Sequence, residues 1–167
     1  MYKRQTNNLA QSSGGAYGGG ISLPTSSTNH QIRLINNIIS DNTASGAVAM
    51  GQDIHAEFYS LGNNIIGDEN DYDLYEEGSD VTDYIGSSYS AGLSALADNG
   101  GVVETHAVSG DSNALDMGSC LDVDGDAITT DARGATRGSD CDIGAYEAEG
   151  AETCDCLLYT SDAADES

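Results

Sequence analysis

Positively charged residues are scarce in this chain. Its 167 residues include only five lysines and arginines against 28 aspartates and glutamates, for a formal net charge of −23. A surface of this sign repels nucleic acid and anionic lipid and argues against direct phosphate binding. No apolar run has the length of a membrane span, so we expect no span in this segment. Because of the net negative charge, we also expect no nucleic-acid partner.

Proline is almost absent, and long amphipathic helical patterns are hard to find. Proline and phenylalanine occur once each, whereas there are 21 glycines and nine tyrosines. Short β-prone runs alternate with glycine, asparagine and serine clusters, which is typical of short strands joined by tight turns. The composition predicts an all-β fold.

The two ends resemble translated sequencing-library adapter. Residues 1–5 match one strand of such an adapter and residues 156–167 the other. We expect the natural segment to be 6–155, cut from a reading frame that continues on both sides, with 150–155 as a truncated linker. Removing the adapter leaves Arg33, Arg133 and Arg137 as the cations.

One four-residue sequence occurs twice. Asn36-Asn37-Ile38-Ile39 returns as Asn63-Asn64-Ile65-Ile66, 27 residues later. A period of this length is typical of stacked repeats, in which equivalent residues of successive layers lie above one another. The four asparagines are predicted to form a hydrogen-bonded stack, because asparagine both donates and accepts and tolerates turn backbones. We expect the paired isoleucines to point into the core.

Two further regions flank or interrupt this pattern. Within residues 6–90, which we predict to form repeat layers, the tyrosine- and acid-rich stretch 68–90 is predicted to be an insertion loop. Residues 91–149 are predicted to be a closing module that begins with helical turns at 91–97. A repeat array needs such a module because its open end exposes strand edges.

The later part of the chain resembles a known family. The runs Leu96-Ala97-Asp98-Asn99-Gly100-Gly101, Asn113-Ala114-Leu115-Asp116-Met117-Gly118 and Cys141-Asp142-Ile143-Gly144-Ala145-Tyr146-Glu147 look like the end of the choice-of-anchor Q domain. The resemblance covers roughly residues 14–147. It implies a right-handed parallel β-helix of few rungs, of pectin-lyase shape, with an irregular closing region, on bacterial surface or secreted proteins. The family offers no agreed catalytic set, so we assign no catalytic residue.

In an exported protein Cys120 and Cys141 would form a disulfide. They flank an aspartate-rich loop and lie 21 residues apart. Closing a loop of this length stabilises a fold by about 3 kcal/mol.

Four aspartates follow Cys120 at short spacing: Asp122, Asp124, Asp126 and Asp131. Carboxylate oxygens at alternate positions suit Ca²⁺, the one cofactor that we consider. The pattern departs from a calcium-binding EF-hand loop because no glutamate closes it. An aspartate-rich turn without a metal is the competing interpretation.

These observations leave two hypotheses of function. The first is a non-catalytic segment of an extracellular or cell-surface protein that serves adhesion, spacing or contact with an extracellular polysaccharide or cell-surface component. The second is a fragment of a polysaccharide lyase or glycoside hydrolase on the same scaffold. Against a lyase, the predicted layers offer only Arg33 as a basic group, while Arg133 and Arg137 lie in the closing module.

Overall fold

The regular structure consists of β-strands alone. The computed structural model describes residues 4–23, 32–68, 73–76 and 82–148, and this part of the chain contains no helix, hence none that could span a membrane. The strands are β1 (Arg4–Gln5), β2 (Leu9–Gln11), β3 (Gly15–Tyr17), β4 (Ile21–Ser22), β5 (Ile32–Leu34), β6 (Ile38–Ile39), β7 (Thr43–Ser45), β8 (Val48–Met50), β9 (Ile54–His55), β10 (Glu57–Ser60), β11 (Ile65–Ile66), β12 (Asp73–Glu76), β13 (Tyr84–Ile85), β14 (Leu93–Ala97) and β15 (Thr105–Val108). The predicted all-β fold is confirmed.

Parallel pairing dominates the first part of the chain. A four-stranded sheet has the order β1-β6-β11-β13, and a three-stranded sheet has the order β12-β10-β5. Strands β2, β3 and β4 pair in parallel with β7, β8 and β9. Each of these strands therefore lies beside one from an earlier or later passage of the chain, and the described residues from 4 to 85 form what we call the strand region.

The repeated isoleucines lie side by side in the four-stranded sheet. Ile38 pairs with Ile65, and Ile39 pairs with Ile66. All four are buried, but consecutive residues of a strand point to opposite faces of a sheet. The predicted burial of the paired isoleucines is confirmed, but the two members of each pair lie in different cores and not in one.

Two hydrophobic clusters result from this alternation. Ile39 and Ile66 pack with Phe58 and Ile54 in a cluster between the sheets of the strand region. The other cluster consists of Ile38, Ile65, Ala91, Ala114 and Ile143, with Tyr84, Leu93 and Val108 packed against it. The four-stranded sheet thus carries a second apolar face, which the later part of the chain covers.

We predicted the acidic stretch 68–90 to be an insertion loop, but two segments of it form strands. Within it, β12 pairs with β10, matching Phe58 with Leu74, and β13 pairs with β11, matching Ile66 with Ile85. Both strands continue sheets of the strand region, although the sequence around them is rich in acidic residues. Residues 69–72 and 77–81 of the predicted loop lie outside the described residues.

Residues 86–148, here called the closing region, contain little regular structure. The predicted helical turns at 91–97 are wrong, because Leu93–Ala97 forms β14, which pairs antiparallel with β15. Leu93 and Val108 are register partners, and both pack on the Ile38–Ile65 cluster. The closing region therefore lies along the outer face of the four-stranded sheet, and tertiary packing overrides the weak helical preference of its small residues.

Candidate functional site

One asparagine of each repeated pair belongs to a buried hydrogen-bond ladder. Oδ1 of Asn64 accepts the backbone N–H of Asn37 at 3.0 Å and its Nδ2 at 3.3 Å. Oδ1 of Asp83 accepts the same two groups of Asn64, at 3.0 and 2.9 Å. An asparagine can continue such a ladder because its side chain both accepts and donates hydrogen bonds. The ionised aspartate at the end of the ladder only accepts them.

A second ladder has the same order of residue types. Oδ1 of Asn42 accepts the backbone N–H of Asn8 at 3.1 Å and its Nδ2 at 2.9 Å. Oδ1 of Asp53 accepts both groups of Asn42, at 3.0 and 2.8 Å. This ladder was not predicted, because its members lie in different local sequences. The signal that could have revealed it is an asparagine or aspartate at the end of each layer.

The other asparagine of each pair bonds the closing region. Asn36 and Asn63 both have a positive φ, 55° and 57°. Asn36 donates Nδ2 to the carbonyl of Ser119 and accepts the Ser119 N–H, each at 2.6 Å, and Asn63 donates Nδ2 to the carbonyl of Met117 at 2.7 Å. The four asparagines of the predicted stack thus divide between a ladder and a docking contact.

A cleft of about 730 Å³ lies between the strand region and the closing region. Its wall on the strand-region side consists of residues 40–42, which follow β6, residues 52–53, which precede β9, and residues 67–68, which follow β11.

Two carboxylates from neighbouring layers meet at the base of this cleft. Asp53 is 2% exposed, and the backbone of Asp68 hydrogen-bonds to its carboxylate. A Cβ on Gly67 would lie 2.7 Å from Oδ2 of Asp53, so a larger residue at this position would have to displace the Asp53 carboxylate. Burial raises the pKa of the Asp53 carboxyl above its ordinary value, bonds from Asn42 oppose this, and the charge of Asp68 adds to it.

The rest of the cleft combines polar groups with one aromatic ring. Its lining residues are Ser40, Asp41, Asn42, Gln52, Asp53, Gly67, Asp68, Ser87, Tyr89, Ser90, Ala91, Gly92, Leu93, Ser94 and Ser109. The N–H of Ser90 donates to Oδ1 of Asn113 at 2.8 Å and the N–H of Asn113 donates to the carbonyl of Ser90 at 2.9 Å, and these two bonds hold the wall that carries Tyr89. This arrangement suits a ligand rich in hydroxyl groups.

The predicted calcium ligand Asp122 organises an exposed turn. Its Oδ1 accepts the backbone N–H groups of Asp124 and Asp126, both at 2.9 Å. Gly125 takes a φ of 87°, and its N–H bonds to the carbonyl of Asp122. The bonds from Asp126 and Asp124 hold the pKa of Asp122 below its ordinary value.

Asp131 organises a second turn of the same type. Its Oδ1 accepts the N–H groups of Arg133 and Ala135 at 2.8 and 3.0 Å, and Gly134 has a φ of 88°. Both turns thus have aspartate at the first position and glycine three residues later, a pattern typical of tight turns that would have revealed them in the sequence.

The second turn is also tied into the interior. Oδ2 of Asp131 accepts Nε of Arg133 at 2.8 Å and the N–H of Glu147 at 3.0 Å, with no exposure of the Asp131 side chain. Burial alone would raise the pKa of Asp131, but the bonds from Glu147, Arg133 and Ala135 hold it below its ordinary value.

No group of three or more histidine, cysteine, aspartate or glutamate side chains close enough to hold a metal ion occurs among the described residues. Asp122 and Asp131 serve separate turns, with Asp124 and Asp126 contributing backbone N–H groups to the first. Calcium binding by these four residues stays a prediction.

The arginines of the closing region act as internal clamps. Arg137 is buried and donates Nη1 to Oε2 of Glu147 at 2.6 Å and Nη2 to the carbonyl of Gly144 at 2.6 Å. The guanidinium of Arg133 lies 3.7 Å from the ring centre of Tyr146. Burial raises the pKa of Glu147, and the bond from Asp142 and the charge of Arg137 oppose that effect.

The predicted disulfide is confirmed. Cys120 and Cys141 are bonded with their Cα atoms 5.4 Å apart, and Cys141 also bridges the backbone of Gly118. The bond closes a loop, residues 120–141, that contains both aspartate turns. It holds this loop next to the segment that contains buried Ile143.

Comparison of the chain with protein-family models, with curated proteins and with solved structures gives no match. The resemblance to the choice-of-anchor Q domain therefore stays a prediction from the sequence.

Proposed function

We propose that the strand region belongs to a right-handed parallel β-helix of the kind found in choice-of-anchor Q surface proteins, and that the chain is part of an exported bacterial protein. Parallel pairing over successive passages of the chain supports the scaffold. The disulfide supports an oxidising location, because such bonds persist mainly outside the cytoplasm.

The proposed activity is non-catalytic contact with an extracellular glycan in the cleft of about 730 Å³. The observation that carries it is the lining, in which an exposed tyrosine ring lies in the same cleft as carboxylates, amides and hydroxyls. Sugars need this combination, because each ring has an apolar C–H face and hydroxyls that both donate and accept. Asp53 is held by Asn42 and Asp68 and has the role of a structural ladder end.

A glycan array followed by calorimetry tests this activity. We expect several immobilised glycans to retain the protein and the same glycans to be recovered unchanged after prolonged incubation. Failure to retain any glycan would contradict the proposal. Release of new reducing ends would favour the second hypothesis.

One observation favours that second hypothesis, a fragment of a glycoside hydrolase. Hydrolysis of a glycosidic bond uses two carboxyl groups, one of them protonated because its pKa is raised. Asp53 has a raised pKa, and Asp68 lies next to it in the cleft. Asp53→Asn and Asp68→Asn should then each abolish release of reducing ends; an unchanged rate in either variant would exclude this pair.

A further inference from the structure

A single aromatic ring is positioned in the cleft before any ligand arrives. Tyr89 is 39% exposed, and its ring meets that of Tyr84 edge to face, with centres 5.4 Å apart and planes at 70°. Its N–H bonds to the carbonyl of Gly86 at 3.1 Å. Since Tyr84 packs on the buried Ile38–Ile65 cluster, Tyr89 rests on a fixed support. A fixed ring loses little entropy on binding.

Hydrogen-bonding groups with spare capacity lie in the same cleft. Oε1 of Gln52 accepts the N–H of Ala44 at 3.3 Å, and its Nε2 has no partner among the described residues. Asp41 is exposed, and its carboxylate receives only a long contact of 3.5 Å from the Ser40 hydroxyl within the described chain. A donor and an acceptor of this kind match the two roles of a sugar hydroxyl.

The electrostatics of the cleft select against anionic sugars. Asp41, Asp53 and Asp68 line it, and its described lining residues include no lysine, arginine or histidine. Each unit charge on a ligand would interact unfavourably with each ionised carboxylate, by about 1 kcal/mol at 4 Å even in bulk water. A chain of uronic acids brings one such charge per sugar.

We infer that the cleft binds neutral pyranose chains, with one sugar ring stacked on Tyr89, and that it rejects polyuronates. This inference rests on the proposed glycan contact and names its ligand class. Among the described residues Tyr89 is the specificity-determining side chain, because it offers the only aromatic face in the cleft lining.

Calorimetry with matched oligosaccharides and variants tests the inference. The probes are neutral cello-, xylo- and manno-oligosaccharides and an oligogalacturonate of equal length, at low salt. Tyr89→Ala should weaken binding of the neutral ligand by about tenfold or more, whereas Tyr89→Phe, which keeps the ring, should bind like the parent. Tyr17→Ala is the matched control, because Tyr17 is 42% exposed and lies outside the cleft.

The outcomes separate this inference from the proposed function. Loss of binding in Tyr89→Ala alone, with no binding of oligogalacturonate, supports it. Neutral-glycan binding that survives Tyr89→Ala, or equal binding of oligogalacturonate, overturns the inference but leaves glycan contact standing. No binding of any glycan overturns both. Far-UV circular dichroism and the urea midpoint of each variant establish that the fold is retained.

Discussion

The strand region and the closing region are held together by different kinds of interaction. In the strand region, backbone ladders join parallel strands, and buried isoleucines repeat at equivalent positions. In the closing region only β14 and β15 form a ladder; elsewhere isolated bridges, side-chain bonds to backbone groups and one disulfide fix the chain.

The difference explains which residues each region depends on. Backbone ladders accept many side chains, so the strand region requires apolar volume at a few positions and an asparagine or aspartate where a layer ends. The closing region buries charged and polar groups that must each find a partner, so individual aspartates and arginines become essential. Variants in each region should therefore fail for different reasons.

The largest effect is expected from emptying the core of the strand region. Phe58 is fully buried between the sheets, and Phe58→Ala should lower the free energy of unfolding by about 3–5 kcal/mol, through lost transfer energy and the cavity left behind. Urea denaturation measures it. Val48→Ala, at a side chain 51% exposed on β8, is the control and should change little. An equal decrease in the free energy of unfolding in both variants would show that the stabilising core lies elsewhere.

Next in size is removal of the buried charge from the second aspartate turn. Asp131→Asn keeps an oxygen for the turn but loses the ion pair with Arg133, and it should cost about 3–4 kcal/mol at neutral pH. Asp122→Asn makes the same change in the exposed turn, where none of the described cations forms an ion pair with it, and the variant should be as stable as the parent. Urea denaturation of both variants gives the comparison.

The same variant predicts a pH dependence. Because the pKa of Asp131 is lowered in the folded protein, its stabilisation is present above the unfolded-state value near 3.8 and disappears as the pH falls through the lower folded value. The difference between the parent and Asp131→Asn should be constant at pH 6–7 and shrink below about pH 4. A difference that grows on acidification would contradict this assignment.

Removing the disulfide should act on the closing region alone. Cys120→Ser combined with Cys141→Ala should cost about 3 kcal/mol, because the closed loop no longer restricts the unfolded chain. Hydrogen exchange should accelerate at residues 114–148 and remain slow in β6 and β11. Uniform acceleration in both regions would show that they unfold as one unit.

The smallest changes in stability are expected at the two asparagines of the second repeat, Asn63 and Asn64. Asn64→Ala removes the acceptor of the Asn37 N–H and the side-chain donor to Oδ1 of Asp83, and the loss of these buried bonds should cost about 2 kcal/mol. Asn63→Gly keeps the positive φ and loses only the bond to Met117, so its cost should be below about 1 kcal/mol. The urea midpoints of the two variants measure these losses. A larger loss in Asn63→Gly than in Asn64→Ala would contradict the stabilising role of the ladder.

Much of the strand region could be predicted because its signals are local and repeated. The interval between Asn36 and Asn63 matches the pairing of Ile38 with Ile65, and the two cysteines were identified as partners. The strand β12 was missed because acidic residues conceal its apolar position Leu74. The cleft could not be predicted, since its two walls come from segments that are distant in the chain, between residues 40 and 68 on one side and between 87 and 109 on the other.

By itself the sequence determined the all-β fold, the acidic surface and the layer spacing, because composition and short-range repetition specify these directly. It also pointed to Cys120 and Cys141 as disulfide partners, on the expectation that the protein is exported. Only the tertiary structure decided that Ile38 and Ile39 serve different clusters, that Asp122 and Asp131 organise turns, and that Tyr89 shares a cleft with Gln52 and Asp68. The physical reason is that burial and hydrogen-bond partners depend on residues distant in the chain, and the same aspartate suits a metal, a turn or an ion pair until its neighbours are in place.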